Sequence, residues 1–243
     1  MKNRHKKSLA ATSLALVISA SGAVTSLALP QAAPDQEFTE AYQRLYDNEM
    51  DYDCLLYTAL VTHSYQKSFL ADGRCAVSTS RAGNVIGGGD FANDRIIPDC
   101  VRAAASGKDI IVRNPHSTRP YQLVLEPLAV YLTIAMRQYE DGKFQGYYNV
   151  GPDDRDCVTT GNLVDIFCRA WGNGMTWVDR YDGGPHEANF LKLDCSKIEH
   201  VFGWRPRYGV EEAVAKTVEW SKAYLDGQEM LQVMDRQIME FFE

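Results

Sequence analysis

Two patterns in this chain of 243 residues invite a redox reading, and each falls short of the spacing that chemistry needs. Gly83, Gly87, Gly88 and Gly89 form a G-x-x-x-G-G-G run followed by Asp90-Phe91. A dinucleotide fingerprint is a strand and then G-x-G-x-x-G opening a helix. By residue type alone the run is a turn where the backbone approaches something closely. Tyr139 and Lys143 make the only Tyr-x-x-x-Lys spacing in the chain, and they sit at a helix end closed by Gly142. Arginines offer a different chemistry. Arg119, within Arg-Pro-Tyr-Gln, has a planar donor fork that can meet two phosphate oxygens at once. Arg95 and Arg113 are weaker candidates of the same kind, and a surface salt bridge is the commoner fate of any arginine. His186 lies in Gly184-Pro185-His186-Glu187-Ala188, where a loop histidine is often simply solvated. Cys54, Cys75, Cys100, Cys157, Cys168 and Cys195 include no C-x-x-C pair, which argues against a zinc site or redox dithiol and for free buried thiols.

Composition narrows the ligand class. The formal charge is −7 and no basic stripe follows Lys7, so nucleic acid is not an expected partner. One or two placed arginines still suffice for a small diphosphate. Hydrophobic content of 45% is ample for a packed core, and the length suits one or two domains. Residues 1–28 read as an export leader: Lys2, Arg4, Lys6 and Lys7 precede an uncharged run from Leu9 to Leu29, with Ser26-Leu27-Ala28 as the cleavage site. An uncleaved anchor is the other reading of that run, weakened by its Ser, Thr and Gly content.

The elements that must hold these groups alternate in type. Residues 29–58 read as a divergent linker and a helix over 37–50, with Phe38, Tyr42, Leu45 and Tyr46 at helical spacing. A helix is expected over Thr58–Leu70, then a buried strand from Cys75 into the glycine run. Further helices are expected over Asp94–Ala105, with Pro98 in the first turn, and over Leu123–Tyr139, Thr160–Trp171, Glu211–Leu225 and from about Gln228. Short strands are expected over Asp109–Arg113, Tyr147–Val150 and Met175–Val178, and a helix after a cap at Asp194 or Ser196. Alternating strands and helices argue an α/β fold.

From about residue 59 to the C-terminus, the order and spacing of several segments resemble the C-terminal half of the CDP-glucose 4,6-dehydratases. They are Arg81–Asp90, Asp94–Cys100, Ile111–His116, Arg119–Gln122, Val124–Pro127, Gly184–Ala188, Lys192–Lys197 and Gly203–Pro206. Those are NAD-dependent nucleotide-sugar enzymes of the extended short-chain dehydrogenase/reductase class. The resemblance implies a partial Rossmann-type fold lacking its N-terminal NAD-binding half, with residues 59–243 holding a sheet remnant plus the mixed C-terminal substrate domain. It implies that Asn84 contacts the sugar nucleotide, that Arg119 binds its diphosphate, and that His186 hydrogen-bonds phosphate or ribose from a closing loop. Arg95 and Arg113 are implied to lie just behind them, and the expected small-molecule partner is a CDP-sugar. One departure is Leu123, where the family usually has histidine.

Such an enzyme oxidises a hexose carbon with NAD, eliminates water and returns the hydride, which takes a dinucleotide fold, a Tyr-x-x-x-Lys pair and an acid. Aligning Leu60-Val61-Thr62 with the family puts Asp51 at the tyrosine and Leu55 at the lysine. Tyr139 and Lys143 fall far downstream of that position. The expectation is therefore that this chain alone binds no NAD and carries no catalytic residue. Two readings stay open: a truncated relative completed by a polypeptide supplying the NAD half, or by a homodimer; and an exported, non-catalytic module reusing the lobe. The leader implies export and the resemblance implies the cytoplasm.

Overall fold

The computed structural model describes residues 17–20, 23–25, 54–70, 75–180 and 190–243, with side chains from residue 60 onward. The helix expected over 37–50 lies outside the described residues, as does Asp51. Strands β1 (Val17–Ala20) and β2 (Ala23–Thr25) come first, within residues 1–28, and are followed by helix α1 (Cys54–Phe69). Strands β3 (Thr79–Ala82) and β4 (Asn84–Ile86) lead to α2 (Ile96–Ala105), β5 (Ile110–Val112), β6 (Thr118–Leu123) and α3 (Leu125–Glu140). Then come β7 (Tyr147–Val150), β8 (Cys157–Thr159), α4 (Thr160–Trp171), β9 (Trp177–Asp179), α5 (Ser196–Phe202), α6 (Val210–Leu225) and α7 (Met230–Phe242).

The class is α/β with parallel pairing, as the alternation of elements leads one to expect. One sheet has the order β2-β1-β3-β7, with β3 parallel to both β1 and β7. A second has the order β4-β6-β8, parallel on one side and antiparallel on the other. The parallel pair β5-β9 completes the set.

The residues expected as one strand from Cys75 to Ile86 make two, and Gly83 is the reason. Its N–H donates to Val150 O at 2.9 Å, finishing the run beside β7, and the next residue already pairs with β6. A Cβ on Gly83 would stand 2.5 Å from the carbonyl oxygen of Pro120, so only glycine lets the chain pass between the sheets here. Strand β6 itself runs counter to sequence rules, because Pro120 removes a donor. Pro120 precedes the first β4–β6 pair, Asn84 with Tyr121, so no bond of that ladder is lost.

Helix ends follow local chemistry. Pro98 is the third residue of α2, where its missing N–H has no helical partner to forgo. Thr159 Oγ1 caps α4 by accepting from the N–H of Asn162 at 3.2 Å, and Gly172 closes that helix at φ +80°. Glu212 Oε2 accepts from the N–H of Gly209 at 3.1 Å at the start of α6.

Two cores result. Ile86, Tyr121 and Leu123 pack with Ile97, Phe167 and Val214 beneath the second sheet. Val130, Tyr131 and Ile134 of α3 pack with Tyr148, Val150 and Ile198 on the first. Gln122 joins the sheets, its Nε2 donating to Val150 O at 2.8 Å. Glu126, fully buried, ties α3 to the C-terminal segment by accepting from the N–H groups of Arg207 and Tyr208 at 2.8 Å each. Cys100, Cys157, Cys168 and Cys195 carry free thiols, with Cys100 and Cys195 buried.

Candidate functional site

Parallel register brings the two leading candidates together. Asn84 opens β4 opposite Tyr121 of β6, and Arg119 lies two residues before Tyr121. Residues two apart on a strand share a face, so Asn84, Tyr121 and Arg119 line the same side of the small sheet. Asn84 and Arg119 are both half-buried at the rim of its core. Arg119 Nη1 donates to Thr118 O at 3.0 Å, which aims the guanidinium along the strand end. Beneath them Tyr121 is anchored, its hydroxyl 3.2 Å from Thr160 Oγ1, which in turn lies 3.0 Å from Ser117 Oγ.

His186 lies outside the described residues, but both ends of its segment are placed. The N–H of Arg180 donates to Val112 O at 2.9 Å, so residue 180 stands beside the strand that ends just before Arg113. On return, the N–H of Leu191 donates to Thr118 O at 3.1 Å, and Phe190 bridges Thr118. The segment carrying His186 therefore leaves next to Arg113 and re-enters next to Arg119. Phe190 presents a 63% exposed ring there, with Lys192 Nζ 5.6 Å from its centre. Sequence reasoning passed over Phe190; the only trace of it was an aromatic a few residues after the Pro-His-Glu-Ala segment.

Arg95 and Arg113 engage acidic partners on the loop after β4. Arg95 Nη1 stands 3.2 Å from Asp90 Oδ2, and Arg113 Nη2 stands 2.7 Å from Asp94 Oδ1. These pairs are exposed enough to contribute little to stability. They nonetheless set carboxylates beside both arginines, so an incoming phosphate must compete with Asp90 and Asp94.

The glycine run has a structural reason that its sequence does not announce. A Cβ on Gly88 would stand 2.0 Å from the ring of Trp220 on α6, and one on Gly87 would stand 2.8 Å from Val124 Cγ1. Gly89 adopts φ +81°, the region glycine occupies without strain. What the backbone approaches closely is thus Trp220, which also stacks on Tyr224 at 5.4 Å. That indole occupies the space over the glycines, and the next helix begins only at Ile96. The run is no cradle for a dinucleotide diphosphate, and no step through NAD can be derived from it. Tyr139 and Lys143 are likewise not a pair on one helix: α3 ends at Glu140, and Lys143 Nζ pairs with Asp141 at 2.7 Å.

An open cleft of about 640 Å³ lies elsewhere, between α4 and the start of α6. It is lined by Asp156, Asp165, Glu211 and Glu212 against Arg155 and Arg169, and by none of the candidates above. Four carboxylates against two guanidiniums disfavour a diphosphate, so the cleft is not assigned to this site. Among the described residues no group of His, Cys, Asp and Glu is arranged to hold a metal ion.

No family model matches the chain. It is 42% identical over 188 residues to a CDP-glucose 4,6-dehydratase of Salmonella typhimurium, covering 75% of this chain and 52% of that protein. It is 22% identical over 191 residues to a dTDP-D-glucose 4,6-dehydratase of Mus musculus, covering 76% and 51%. Among solved structures, a UDP-glucuronic acid 4-epimerase of Bacillus cereus bound to a UDP-sugar and NAD superposes with a TM-score of 0.59 at 14% identity, over 70% of this chain and 51% of that one. A dTDP-glucose 4,6-dehydratase of Bacillus anthracis in complex with NAD does so with a TM-score of 0.52 at 17% identity, over 70% and 51%. The chain thus spans about half the length of the relatives it matches. Over three-quarters of its length it is a relative of the CDP-glucose 4,6-dehydratases, with the fold of the extended short-chain dehydrogenases/reductases.

Proposed function

We propose that this chain is the sugar-nucleotide-binding part of a CDP-glucose 4,6-dehydratase-like protein, and that it takes up a CDP-sugar at the β4–β6 rim. The observation that carries this is the 42% identity to a CDP-glucose 4,6-dehydratase. The placement of Asn84 and Arg119 on one face of adjacent parallel strands supports it. In this reading the Arg119 guanidinium holds the diphosphate, and the Asn84 amide orients the nucleotide sugar through its paired donor and acceptor. His186 adds a hydrogen bond to phosphate or ribose, and Phe190 offers its exposed ring to the base. Arg95 and Arg113 raise the local positive potential, in exchange with Asp90 and Asp94.

Hydride chemistry needs a dinucleotide site, and the glycine run under Trp220 does not fit one. The dehydration of CDP-glucose therefore falls to an assembly in which another polypeptide supplies the NAD-binding half, and the chain alone binds without turning over. Isothermal calorimetry of the full chain against CDP-glucose, CDP and glucose 1-phosphate tests the binding. Saturable uptake of CDP-glucose, weaker uptake of CDP and none of glucose 1-phosphate is expected. Equal or absent heats for all three would refute the assignment.

A further inference from the structure

The loop after β4 holds two carboxylates firmly in place. Asp90 Oδ1 accepts from the N–H of Ala92 at 3.0 Å, which turns Oδ2 toward Arg95 Nη1 at 3.2 Å. Asp94 adopts φ +59°, a region aspartate tolerates better than most side chains, and its Oδ1 accepts from Arg113 Nη2 at 2.7 Å. Between the two, Phe91 packs on Tyr224 and Trp220 of α6, with ring centres 5.3 and 6.4 Å away. Arg102 of α2 fastens the same stretch by donating to Phe91 O at 3.2 Å and to Ala92 O at 3.0 Å. An ordinary surface ion pair needs no such bracing. Here a braced loop presents two anions to two of the arginines assigned to the ligand.

We propose that Asp90 and Asp94 are built-in counter-ions of the sugar-nucleotide site, which occupy Arg95 and Arg113 in the empty protein and yield them to ligand phosphate. The proposal rests on the sugar-nucleotide reading above and names what controls affinity at that site. A carboxylate already held in position keeps its place against loose chloride, because a free ion must give up its freedom to bind. A phosphate anchored through Arg119 and Asn84 is held in the same way and can compete. The exchange conserves charge: a sugar nucleotide brings two negative charges on its diphosphate, and two carboxylates step aside. Exposed pairs of this kind hold weakly enough to be exchanged. Binding is therefore weaker than bare guanidiniums would give, and it releases little chloride.

A purely structural role for the two charges fits less well. The backbone contact of Asp90 runs through Oδ1, and an amide oxygen would make it equally well. The positive φ of Asp94 suits asparagine as readily as aspartate. In both residues the negative charge itself faces an arginine.

Asp90→Asn and Asp94→Asn test this, because each keeps the acceptor and the backbone preference while removing the charge. CDP-glucose and inorganic pyrophosphate are titrated by calorimetry into the full chain and each variant, at low and at physiological sodium chloride. Asp235→Asn, at an exposed position of α7, makes the same change of net charge and serves as the control. Both loop variants are expected to keep the wild-type melting midpoint and to bind either ligand roughly two- to fivefold more tightly at low salt. Their affinity should also fall more steeply with salt, since arginines stripped of these carboxylates gather chloride that the ligand must displace. The Asp235 variant should match the wild type. Loop variants that bind no better than wild type, or that keep its salt dependence, would overturn the proposal. So would a lowered midpoint with weaker binding, the outcome a merely structural carboxylate gives. Uptake of pyrophosphate without CDP-glucose would refute the sugar-nucleotide reading instead, and the counter-ion proposal would then stand or fall on the pyrophosphate titrations.

Discussion

Gly88 is where a single atom decides the local structure. A methyl group there would overlap the Trp220 ring at 2.0 Å, and the indole is held by Tyr224 stacked behind it. Gly88→Ala should therefore cost about 1–3 kcal/mol of stability, the usual penalty for overpacking, read as a lower urea midpoint with an unchanged slope. Glu126 sets a second test at this scale. Burial pushes its carboxyl above the usual range, while the N–H groups of Tyr208 and Arg207 and the Arg207 charge pull it down less strongly. A carboxyl raised in the folded state favours folding while protonated. Its contribution is complete below the unfolded value of 4.5 and is lost as pH rises through the folded one. The melting midpoint of wild type minus that of Glu126→Gln should thus fall as pH is raised above 4.5; a constant difference would contradict the shift. Glu126→Ala should cost more at every pH, about 1–3 kcal/mol for each backbone N–H left buried without an acceptor. At the proposed ligand site, Asn84→Ala and Arg119→Ala should each weaken CDP-glucose binding roughly tenfold or more while leaving the melt unchanged. Arg119→Lys should not restore affinity, because an ammonium cannot reproduce the two-pronged contact.

Elements were legible where a single local rule governed them. The helices at α4 and α6 stand within a residue of the periodic stretches that announced them, because a cap and a glycine or acidic first turn mark their ends. Strand β6 was not legible. Pro120 reads as a breaker, and only the β4–β6 register, which begins at Tyr121, shows how the strand tolerates it. Strand β8 was missed because its three residues, Cys157–Thr159, are too few to show alternation. The candidate site was half legible for a similar reason. The residue types of Asn84 and Arg119 could be read, but their shared face depends on the pairing of Asn84 with Tyr121, which no local pattern encodes. The role of Trp220 was hidden because it lies 132 positions from Gly88 and looks like any aromatic on an amphipathic helix. Packing at this scale can be checked through the thiols. Burial pushes Cys195 up to about 11 and Cys100 higher still. Neither should react with a thiol-specific reagent in the folded chain, and both should become reactive across the unfolding transition. Fast labelling of Cys100 in the native state would contradict the packing of α2 on α4.

At the scale of the whole molecule, the proposed sugar-nucleotide rim sits on a fold that matches about half of each relative. The relatives it matches are about twice as long as the stretch matched. The apolar stripes it shows to solvent, on α3 and on α7, are surfaces that folding alone leaves uncovered. Whether such a chain keeps a working ligand site is the central question, and mass action answers it directly. A ligand that binds only the folded state raises its stability by about 2.7 kcal/mol at a hundredfold excess over the dissociation constant. The deciding measurement is thermal unfolding of the full chain with and without millimolar CDP-glucose, repeated on Arg119→Ala. The account predicts one cooperative transition that moves several degrees upward with CDP-glucose in the wild type and stays in place in the variant. A cooperative transition that CDP-glucose leaves unmoved in the wild type would contradict it.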